Sequence, residues 1–523
     1  MNWPHVIVLP VVLPLLAGAV ALLVERRAPR LARALSVGMT VVLLIVAVYL
    51  ATEAATGSVQ AYLLGNWKAP FGIALALDRL SALMLVLTSV VALGSVLYAC
   101  GRGPHGPRDT QGPHYHTLFQ FQLLGLNGAF LTADLFNLFV FFEVLLIASY
   151  GLLLHGRGSA RLRAAIHYVA FNLTGSALFL VAVALLYGIC GTLNMADLAL
   201  KIAALGPESA ALARAGGLLL IVVFGVKAAL LPLYFWLPDT YRAASAPIAA
   251  LFAIMTKVGV YCVVRVTTLI FGEGGGVVAH LATPWLPWFA LGTVVLAALG
   301  TLAAVQLRTL VAYLVIASAG TLLLAVGLGS AGTLGAGLFY LVNSTFVAAA
   351  LFLLIDLMAG GRGAAEDAMV PAPLAHRAAF GVLFFVFALE AAGLPPSGGF
   401  IGKALLLGAT IDVPLMAAVW TALLLAGLGV MIALARAGST VIWKATDANR
   451  MQTMAAQGDT LERVAIGWFA LVMLAVIVNA GAVTRYAESA AAQLLDRRAY
   501  ISAVLGAEPV PPAWTPRSGM EKP

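Results

Sequence analysis

Long apolar runs separated by short polar stretches repeat along almost the whole chain. A helix needs about 20 apolar residues to cross the hydrocarbon core of a bilayer. Runs of that length predict an all-α, polytopic membrane protein with about 14 transmembrane helices. The predicted spans are 5–24, 34–52, 76–99, 115–132, 134–155, 161–189, 213–236, 245–271, 281–305, 309–329, 333–357, 377–411, 413–435 and 462–483, and the twelfth is broken by prolines.

Composition places the whole chain in the membrane. Of its 523 residues, 62% are hydrophobic and 10% are charged, whereas soluble domains carry about 25% charged residues. We expect one helical bundle without a globular appendage. No Lys or Arg precedes the first span, so we expect a retained helix rather than a cleaved secretory signal.

The net charge of +8 indicates topology rather than nucleic-acid binding, because most basic residues lie in short loops on one side. Cytoplasmic loops carry an excess of Lys and Arg. This rule puts the richer side in the cytoplasm of a bacterial inner membrane and both termini outside. The richer side holds Arg26, Arg27, Arg30, Arg33, Arg102, Arg108, Arg157, Arg161, Arg163, Arg242, Arg308, Arg362, Arg377, Arg436, Lys444, Arg450 and Arg463, and the other side, before the tail, holds Lys68, Arg79, Lys201, Arg214 and Arg265.

Several ionisable residues fall inside predicted spans, where an ionised group costs about 2.5–3.5 kcal/mol. Glu143, Lys227 and Lys257 lie at similar depth near the middle of their spans, and Lys403 lies in the twelfth span. Burial disfavours the charged form, so a lysine there can lose and regain a proton near neutral pH. We predict that Glu143 and Lys227 form a switchable proton site. The alternatives are a static ion pair, and for Lys257 a side chain that reaches toward a loop.

The sixth and twelfth spans add further candidates. His167 could relay protons or be structural, and Tyr168, Asn172, Thr174 and Ser176 after it could line a wet path. In the twelfth span, Glu390 precedes the break and Lys403 follows it. Either is a candidate for the terminal proton site. Asp134, Asp239 and Asp356 lie near span ends and are expected to be solvated caps.

A short internal match links the two spans that contain proline breaks. Lys-Ala-Ala-Leu-Leu-Pro at 227–232 matches Glu-Ala-Ala-Gly-Leu-Pro at 390–395. The copies lie five spans apart, so they would cross the membrane in opposite senses, as in inverted-repeat transporters. Pro232, Pro395 and Pro396 free backbone carbonyls, which indicates either water-filled pockets or plain kinks.

The repeats suggest four segments: N-terminal helices at 1–112, repeats at 113–275 and 276–440, and a last helix with a Pro-rich irregular tail at 441–523. The three cysteines have no metal-ligand spacing, so we expect no metal and no cofactor.

The chain resembles the antiporter family shared by complex I membrane subunits and Mrp/Pha-type cation/proton antiporters. The resemblance covers about residues 5–480 and depends on FNLFVFFEVLLIASYGLL, VKAALLPLYFWLPDTYRAASAP, MTKVGVY and GLPPSGGFIGK. Within the family it is nearest to the group of D subunits, through VLPVVLPLLAGAVALL and ALARAGSTVIWK. The family's functional glutamate and lysines match Glu143, Lys227, Lys257 and Lys403, while Asn343 stands where relatives often carry a histidine.

The resemblance implies a multi-subunit complex in the bilayer that exchanges protons for Na⁺ or K⁺. One alternative is a proton-pumping subunit of a complex I-like or hydrogenase-type oxidoreductase. The other is a structural scaffold whose charged pairs only hold partner subunits.

Overall fold

The structure, a computed structural model, describes residues 4–101, 114–155, 158–448 and 458–510. Within them, 12 helices are long and apolar enough to cross a membrane, which confirms the all-α polytopic class. The predicted count of about 14 is not confirmed. Helix Tyr115–Leu131 has 17 residues, and the twelfth predicted span is divided into two shorter helices. Arg102, Arg108, Arg157, Arg450, Arg517 and Lys522 lie outside the described residues.

The helices are numbered in chain order, and one antiparallel hairpin accompanies them. They are α1 (Leu9–Val24), α2 (Pro29–Ala55), α3 (Arg79–Gly101), α4 (Tyr115–Leu131), α5 (Leu135–Leu154), α6 (Ser159–Cys190), α7 (Met195–Ala203), α8 (Ala210–Ala228), α9 (Trp236–Ala243), α10 (Ala246–Phe252), α11 (Met255–Arg265), α12 (Leu286–Ala303), α13 (Leu307–Leu328), α14 (Ala331–Gly360), α15 (Arg377–Ala392), α16 (Gly398–Gly408), α17 (Met416–Gly438), α18 (Thr460–Val478), α19 (Ala480–Leu495) and α20 (Arg497–Leu505), with strands β1 (Gln60–Leu63) and β2 (Ala74–Leu77). Val266–Ile270 and Ser439–Trp443 continue α11 and α17 as π-helical turns.

Burial shows which helices form the centre of the bundle. The segment Ala246–Ile270 is completely buried over its most apolar window, and Ala331–Gly360 is 94% buried. The corresponding values for His5–Val24 and Pro29–Ala55 are 33% and 28%. The first two helices therefore lie at the periphery, and the span that contains Lys257 lies at the centre.

Both predicted breaks are present, and each begins at a residue with left-handed backbone. α8 ends at Ala228, and Ala229 has φ +57°. α15 ends at Ala392, and Gly393 has φ +75°. Proline cannot continue the helical hydrogen bonding, so Pro232 lies in an irregular segment that runs to α9. Pro395 and Pro396 lie in the corresponding segment before α16.

The alignment of the two breaks by backbone geometry differs by one residue from their alignment by sequence. Lys227 precedes the left-handed residue Ala229 by two positions, while Glu390 precedes Gly393 by three. Backbone geometry therefore pairs Lys227 with Ala391 rather than with Glu390. The six-residue match therefore locates both breaks correctly, but Lys227 and Glu390, which it aligns, are not at equivalent backbone positions.

The chain after the last span forms two further helices, α19 and α20, that the sequence analysis does not predict, before the Pro-rich segment that begins at Pro509. α19 buries a stripe of Ala487, Ala490, Ala491 and Leu494, and a Cβ at Gly335 of α14 would lie 3.2 Å from Glu488 Cα. Alanine is the best helix former, so these residues form a helix without being apolar enough to predict a span. Residues 511–523 lie outside the described part.

Candidate functional site

Lys227 lies in the last turn of α8, and its ammonium group binds an amide of α6. Its Nζ donates a hydrogen bond to Asn172 Oδ1 at 2.9 Å, and 5% of the residue is exposed. Asn172 is oriented by its own helix, because its Nδ2 donates to the Tyr168 carbonyl at 2.8 Å. A buried charge needs a hydrogen-bonding partner, and Asn172 provides an acceptor. The negative end of the α8 dipole also favours a cation here.

Glu143 of α5 is the predicted partner of Lys227, but the two side chains form no ion pair. Among the described residues, no salt bridge within 4.0 Å joins these two side chains. Glu143 Oε1 is buried and has no hydrogen-bond partner. Lys227 is therefore turned toward Asn172 rather than paired with Glu143.

α8 and α11 cross in close contact beside Lys227 and Lys257. A Cβ at Gly259 would lie 2.5 Å from the Ala228 nitrogen, so glycine is needed for this backbone approach. Lys257 is 1% exposed, and its Nζ donates to the hydroxyl of Ser318 on α13. Lys257 therefore connects the helix that carries Lys227 with the second half of the chain.

A cavity lies between Ser318 and the second broken helix. Its volume is about 50 Å³, and Ser318, Thr321, Asn343, Glu390 and Lys403 are among its lining residues. A water molecule needs about 10–15 Å³ of such volume and two to four polar partners, so there is room for about three. Water in this cavity would connect the partner of Lys257 with both candidate terminal residues.

Two charged side chains bridge the second break. Each lies on one half-helix and binds the backbone of the other. Glu390 of α15 accepts from the Gly399 nitrogen at the start of α16, at 3.2 Å. Lys403 of α16 donates to the Ala392 carbonyl at the end of α15, at 2.7 Å. An anion at a helix N-terminus and a cation at a C-terminus both suit the helix dipole. Both carbonyls released by the break, those of Ala391 and Ala392, thus accept from an ammonium group, whereas the sequence predicts either a water-filled pocket or a plain kink.

Asn343 completes this arrangement from α14. In the amide orientation that satisfies both neighbours, its nitrogen donates to Glu390 Oε2 at 2.8 Å and its oxygen accepts from the Gly399 nitrogen at 3.0 Å. Glu390 and Lys403 line the same cavity. The structure therefore brings both predicted terminal sites together and does not choose between them.

Lys227, Lys257, Glu390 and Lys403 follow one another from α8 to α16, and we call these residues the row. The remaining candidates lie apart from the row. His167 is on the exposed face of α6, and the structure does not bring it to Lys227. Asp134 caps α5 by accepting from the Asn137 nitrogen at 2.8 Å. Asp239 is exposed and pairs with Arg242 at 3.6 Å.

The prediction that Asp356 is a solvated cap was wrong. This carboxylate is 9% exposed because it binds Arg308 at 2.7 Å and the Tyr98 hydroxyl at 2.8 Å. The pair joins α13 and α14, with α3 packed against them. The sequence gives no sign of it, since the partners lie far apart along the chain.

Arg265, assigned to a loop from the sequence, forms a buried ion pair with Asp78. Two guanidinium nitrogens bind the two carboxylate oxygens at 2.6 and 3.0 Å. Burial raises the pKa of Asp78, but the Arg265 charge together with the hydrogen bonds from Arg265 and Ser81 outweighs burial and holds that pKa below its usual range. The Tyr500 ring of α20 lies 5.0 Å from the guanidinium carbon of Arg265. This pair therefore ties the C-terminal helices to the central span.

Side chains that can exchange or relay protons lie close together in this arrangement. In the described ranges, no three His, Cys, Asp or Glu side chains are placed to hold a metal ion. Ammonium groups, a carboxylate, hydroxyls and amides instead follow one another from α8 to α16.

Comparison with known proteins identifies the family. A profile of the NADH:quinone oxidoreductase/Mrp antiporter transmembrane family matches residues 132–429. The chain belongs to this family. Glu143, Lys227, Lys257, Glu390 and Lys403 all lie inside the range that the antiporter-family profile matches.

Relatives of this antiporter family cover nearly the whole chain. The D subunit of a probable K⁺/H⁺ antiporter of Rhizobium meliloti is 42% identical, over 96% of this chain and 98% of the relative. The D subunit of a Na⁺/H⁺ antiporter of Alkalihalophilus pseudofirmus is 33% identical, over 96% and 99%. A chain of the Mrp complex from Dietzia matches with a TM-score of 0.83 and 26% identity, over 97% and 100%.

Proposed function

We propose that this chain is the proton-translocating D subunit of a multi-subunit cation/proton antiporter that exchanges protons for Na⁺ or K⁺ and so supports pH and cation homeostasis. The relatives that match most of its length are named as subunits of such antiporters. They are transporter subunits rather than enzymes. The observation that carries the proposal is the buried row from Lys227 through Lys257 to the cavity beside Glu390 and Lys403.

In this mechanism, protons move along the row by small changes of partner. Neutral acceptors hold the two central lysines, because Asn172 binds Lys227 and Ser318 binds Lys257. An approach of the Glu143 carboxylate would favour the charged form of Lys227. Its withdrawal would release the proton toward Lys257, and water in the cavity would pass it to the Glu390 and Lys403 region.

The proposal also includes the membrane location, the orientation, the internal repeats and the partners of the subunit. The positive-inside count supports a location in the bacterial inner membrane with both termini outside the cytoplasm. The segments 113–275 and 276–440 are the two antiporter-type repeats. Other antiporter subunits and the lipid bilayer are the expected partners.

Alanine variants of Lys227 and Glu143 in the assembled complex test this function. We expect both to abolish cation-driven proton movement in everted vesicles while the subunits still copurify. Lys201→Ala is the control, because Lys201 pairs with Asp197 at a partly exposed site away from the row. Normal exchange by the Lys227 and Glu143 variants would refute the proposal, and loss of assembly would favour the structural scaffold.

A second candidate function is proton pumping within a complex I-like or hydrogenase-type oxidoreductase. The matched family covers NADH:quinone oxidoreductases as well as Mrp antiporters. That function predicts genes for redox subunits beside this one, whereas the antiporter predicts genes for small membrane proteins. Cation-dependent exchange without an electron donor would exclude the second candidate.

A further inference from the structure

An apolar groove runs along the outer face of the second broken helix, between α15 and the C-terminal half of α17. Its volume is about 1150 Å³, and Gly381, Phe385, Leu389, Met431 and Ala435 are among its lining residues. α15 rises about 24 Å over its 16 residues, which is longer than one leaflet of a hydrocarbon core about 30 Å thick. The groove is therefore long enough for an acyl chain.

One end of the groove is basic and aromatic. Exposed Arg377 lines it, and its guanidinium donates to the carbonyl of Trp443. Trp443 is 78% exposed, and Lys444 follows it. Tryptophan favours the interface between lipid and water, and none of the described lining residues is acidic. This end matches an anionic headgroup in charge.

We propose that the groove is a binding site for an anionic phospholipid, with its phosphate at Arg377 and an acyl chain along α15. Basic pockets between transmembrane helices recognise such headgroups. An amphiphile fits both the guanidinium at the rim and the apolar walls. A transmembrane helix of another subunit would fill the walls but would leave Arg377 without an anion unless it brought an acidic residue.

The far end of the groove reaches the helix break. Ala392 and Leu394 line it there, and the Ala392 carbonyl accepts the hydrogen bond from Lys403. Glu390 is buried on the opposite face of α15, toward Asn343. A bound acyl chain would therefore pack against the outer side of the break and restrict movement of the carbonyls that hold Lys403.

Lipid retention by the purified antiporter complex tests the binding. The complex is equilibrated in nanodiscs with equal phosphatidylglycerol and phosphatidylcholine, extracted, and its retained lipids are measured by mass spectrometry. One basic residue near the headgroups changes affinity about fivefold, so Arg377→Gln should lower retained phosphatidylglycerol by about that factor. Arg377→Lys should restore it. Arg463→Gln, at an exposed arginine in the first turn of α18, is the matched control and should change nothing.

A second variant tests the acyl-chain part without altering charge. Ala435→Phe fills the groove and should lower retention of both lipids. Unchanged retention in Arg377→Gln and Ala435→Phe would overturn the proposal, as would a transmembrane helix of another subunit seated in the groove of the assembled complex.

The link to transport rests on the proposed function and is measured separately. If the lipid stabilises the break, Arg377→Gln should reduce phosphatidylglycerol-stimulated exchange in proteoliposomes several-fold and leave exchange in phosphatidylcholine unchanged. Lipid binding without any exchange activity in the unmodified complex would refute the antiporter function and leave the lipid site intact.

Discussion

Replacing Asn172 by aspartate should stop proton release from Lys227 while leaving the shape of the site intact. The two side chains have nearly the same size. In the native chain, Asn172 Oδ1 accepts from Lys227 Nζ. This neutral oxygen can accept from an ammonium group or from an amine, so it does not force one protonation state. A carboxylate in its place would favour the ammonium form alone.

The size of the effect follows from the 2.9 Å separation of Nζ and Oδ1. Opposite unit charges at that distance attract by about 6 kcal/mol at an effective dielectric constant of about 20. Desolvation of the new carboxylate offsets part of this energy. Even about 2 kcal/mol of net stabilisation would disfavour proton release about thirtyfold. We therefore expect Asn172→Asp to reduce exchange by at least that factor.

The assay is cation-driven proton movement in everted vesicles, followed with a pH-sensitive dye over a range of external pH. Asn172→Ala is the companion variant, because it removes the acceptor without adding charge. It should retain more activity than Asn172→Asp. Asn172→Asp combined with Glu143→Gln keeps a single carboxylate near Lys227 but fixes its position, and it should remain inactive.

Two results would refute this reasoning. The first is wild-type exchange by Asn172→Asp in a complex that copurifies normally. The second is equal loss of activity in Asn172→Asp and Asn172→Ala, since charge would then be irrelevant and the hydrogen bond alone would matter.

Three other substitutions test the site and its frame. Gly399→Ala should reduce exchange by up to about a hundredfold, because the new Cβ would lie 2.0 Å from the carbonyl oxygen of Glu390 in α15. Gly408→Ala is the control, since open space surrounds that position, and it should leave vesicle exchange unchanged. Asp78→Asn should lower stability by about 3–5 kcal/mol, since it leaves the buried Arg265 charge without a counter-ion; thermal unfolding in detergent measures this, and an unchanged melting temperature would contradict it. Ser318→Ala removes the hydroxyl that accepts from Lys257. Leaving that buried donor without a partner costs about 1–3 kcal/mol, so exchange should slow, and Ser318→Thr should restore it. Equal exchange rates in the two variants would exclude a role for the hydroxyl.

Most of the fold is predictable because bilayer thickness fixes the length of an apolar helix. The predicted spans coincide with helices even where boundaries move, as in 34–52, which becomes Pro29–Ala55. The C-terminal helices were missed for the same physical reason. α19 is held by alanine packing against α14, and that packing leaves no apolar run to detect.

The site is predictable only as far as single residues reveal it. A charge in an apolar run is conspicuous, so Glu143, Lys227 and Lys257 stand out in the sequence. Their partners are harder to assign, because an uncharged polar residue at membrane depth is less unusual than a charge. Asn172 is a candidate from the sequence for lining a wet path, but not as the acceptor of Lys227. Ser318 in α13 gives no signal of its own until the structure places it against Lys257.

Ion pairs between distant segments are hidden for a different reason. Arg265 and Asp78 lie near span ends, where charges are ordinary and suggest loops. Only the tertiary structure brings them together. The same holds for Asp356 and Arg308.

The two buried ion pairs and the charged residues of the row lie in different environments, and the difference agrees with their proposed roles. Asp78 with Arg265, and Asp356 with Arg308, are neutralised by an opposite charge within hydrogen-bond distance. Such pairs strongly resist a change of protonation, because removing one charge leaves the other buried without compensation. Such ion pairs suit a structural role, in which the helices they join keep their positions.

The charges of the row are instead held by neutral dipoles. An amide holds Lys227, a hydroxyl holds Lys257, backbone carbonyls hold Lys403, and backbone and side-chain amides hold Glu390. Neutral partners stabilise the charge less than a counter-ion does and bind the uncharged form as well, so either protonation state can exist without rebuilding the site. If this distinction is functional, giving any member of the row a permanent counter-ion should be more harmful to transport than removing its neutral partner.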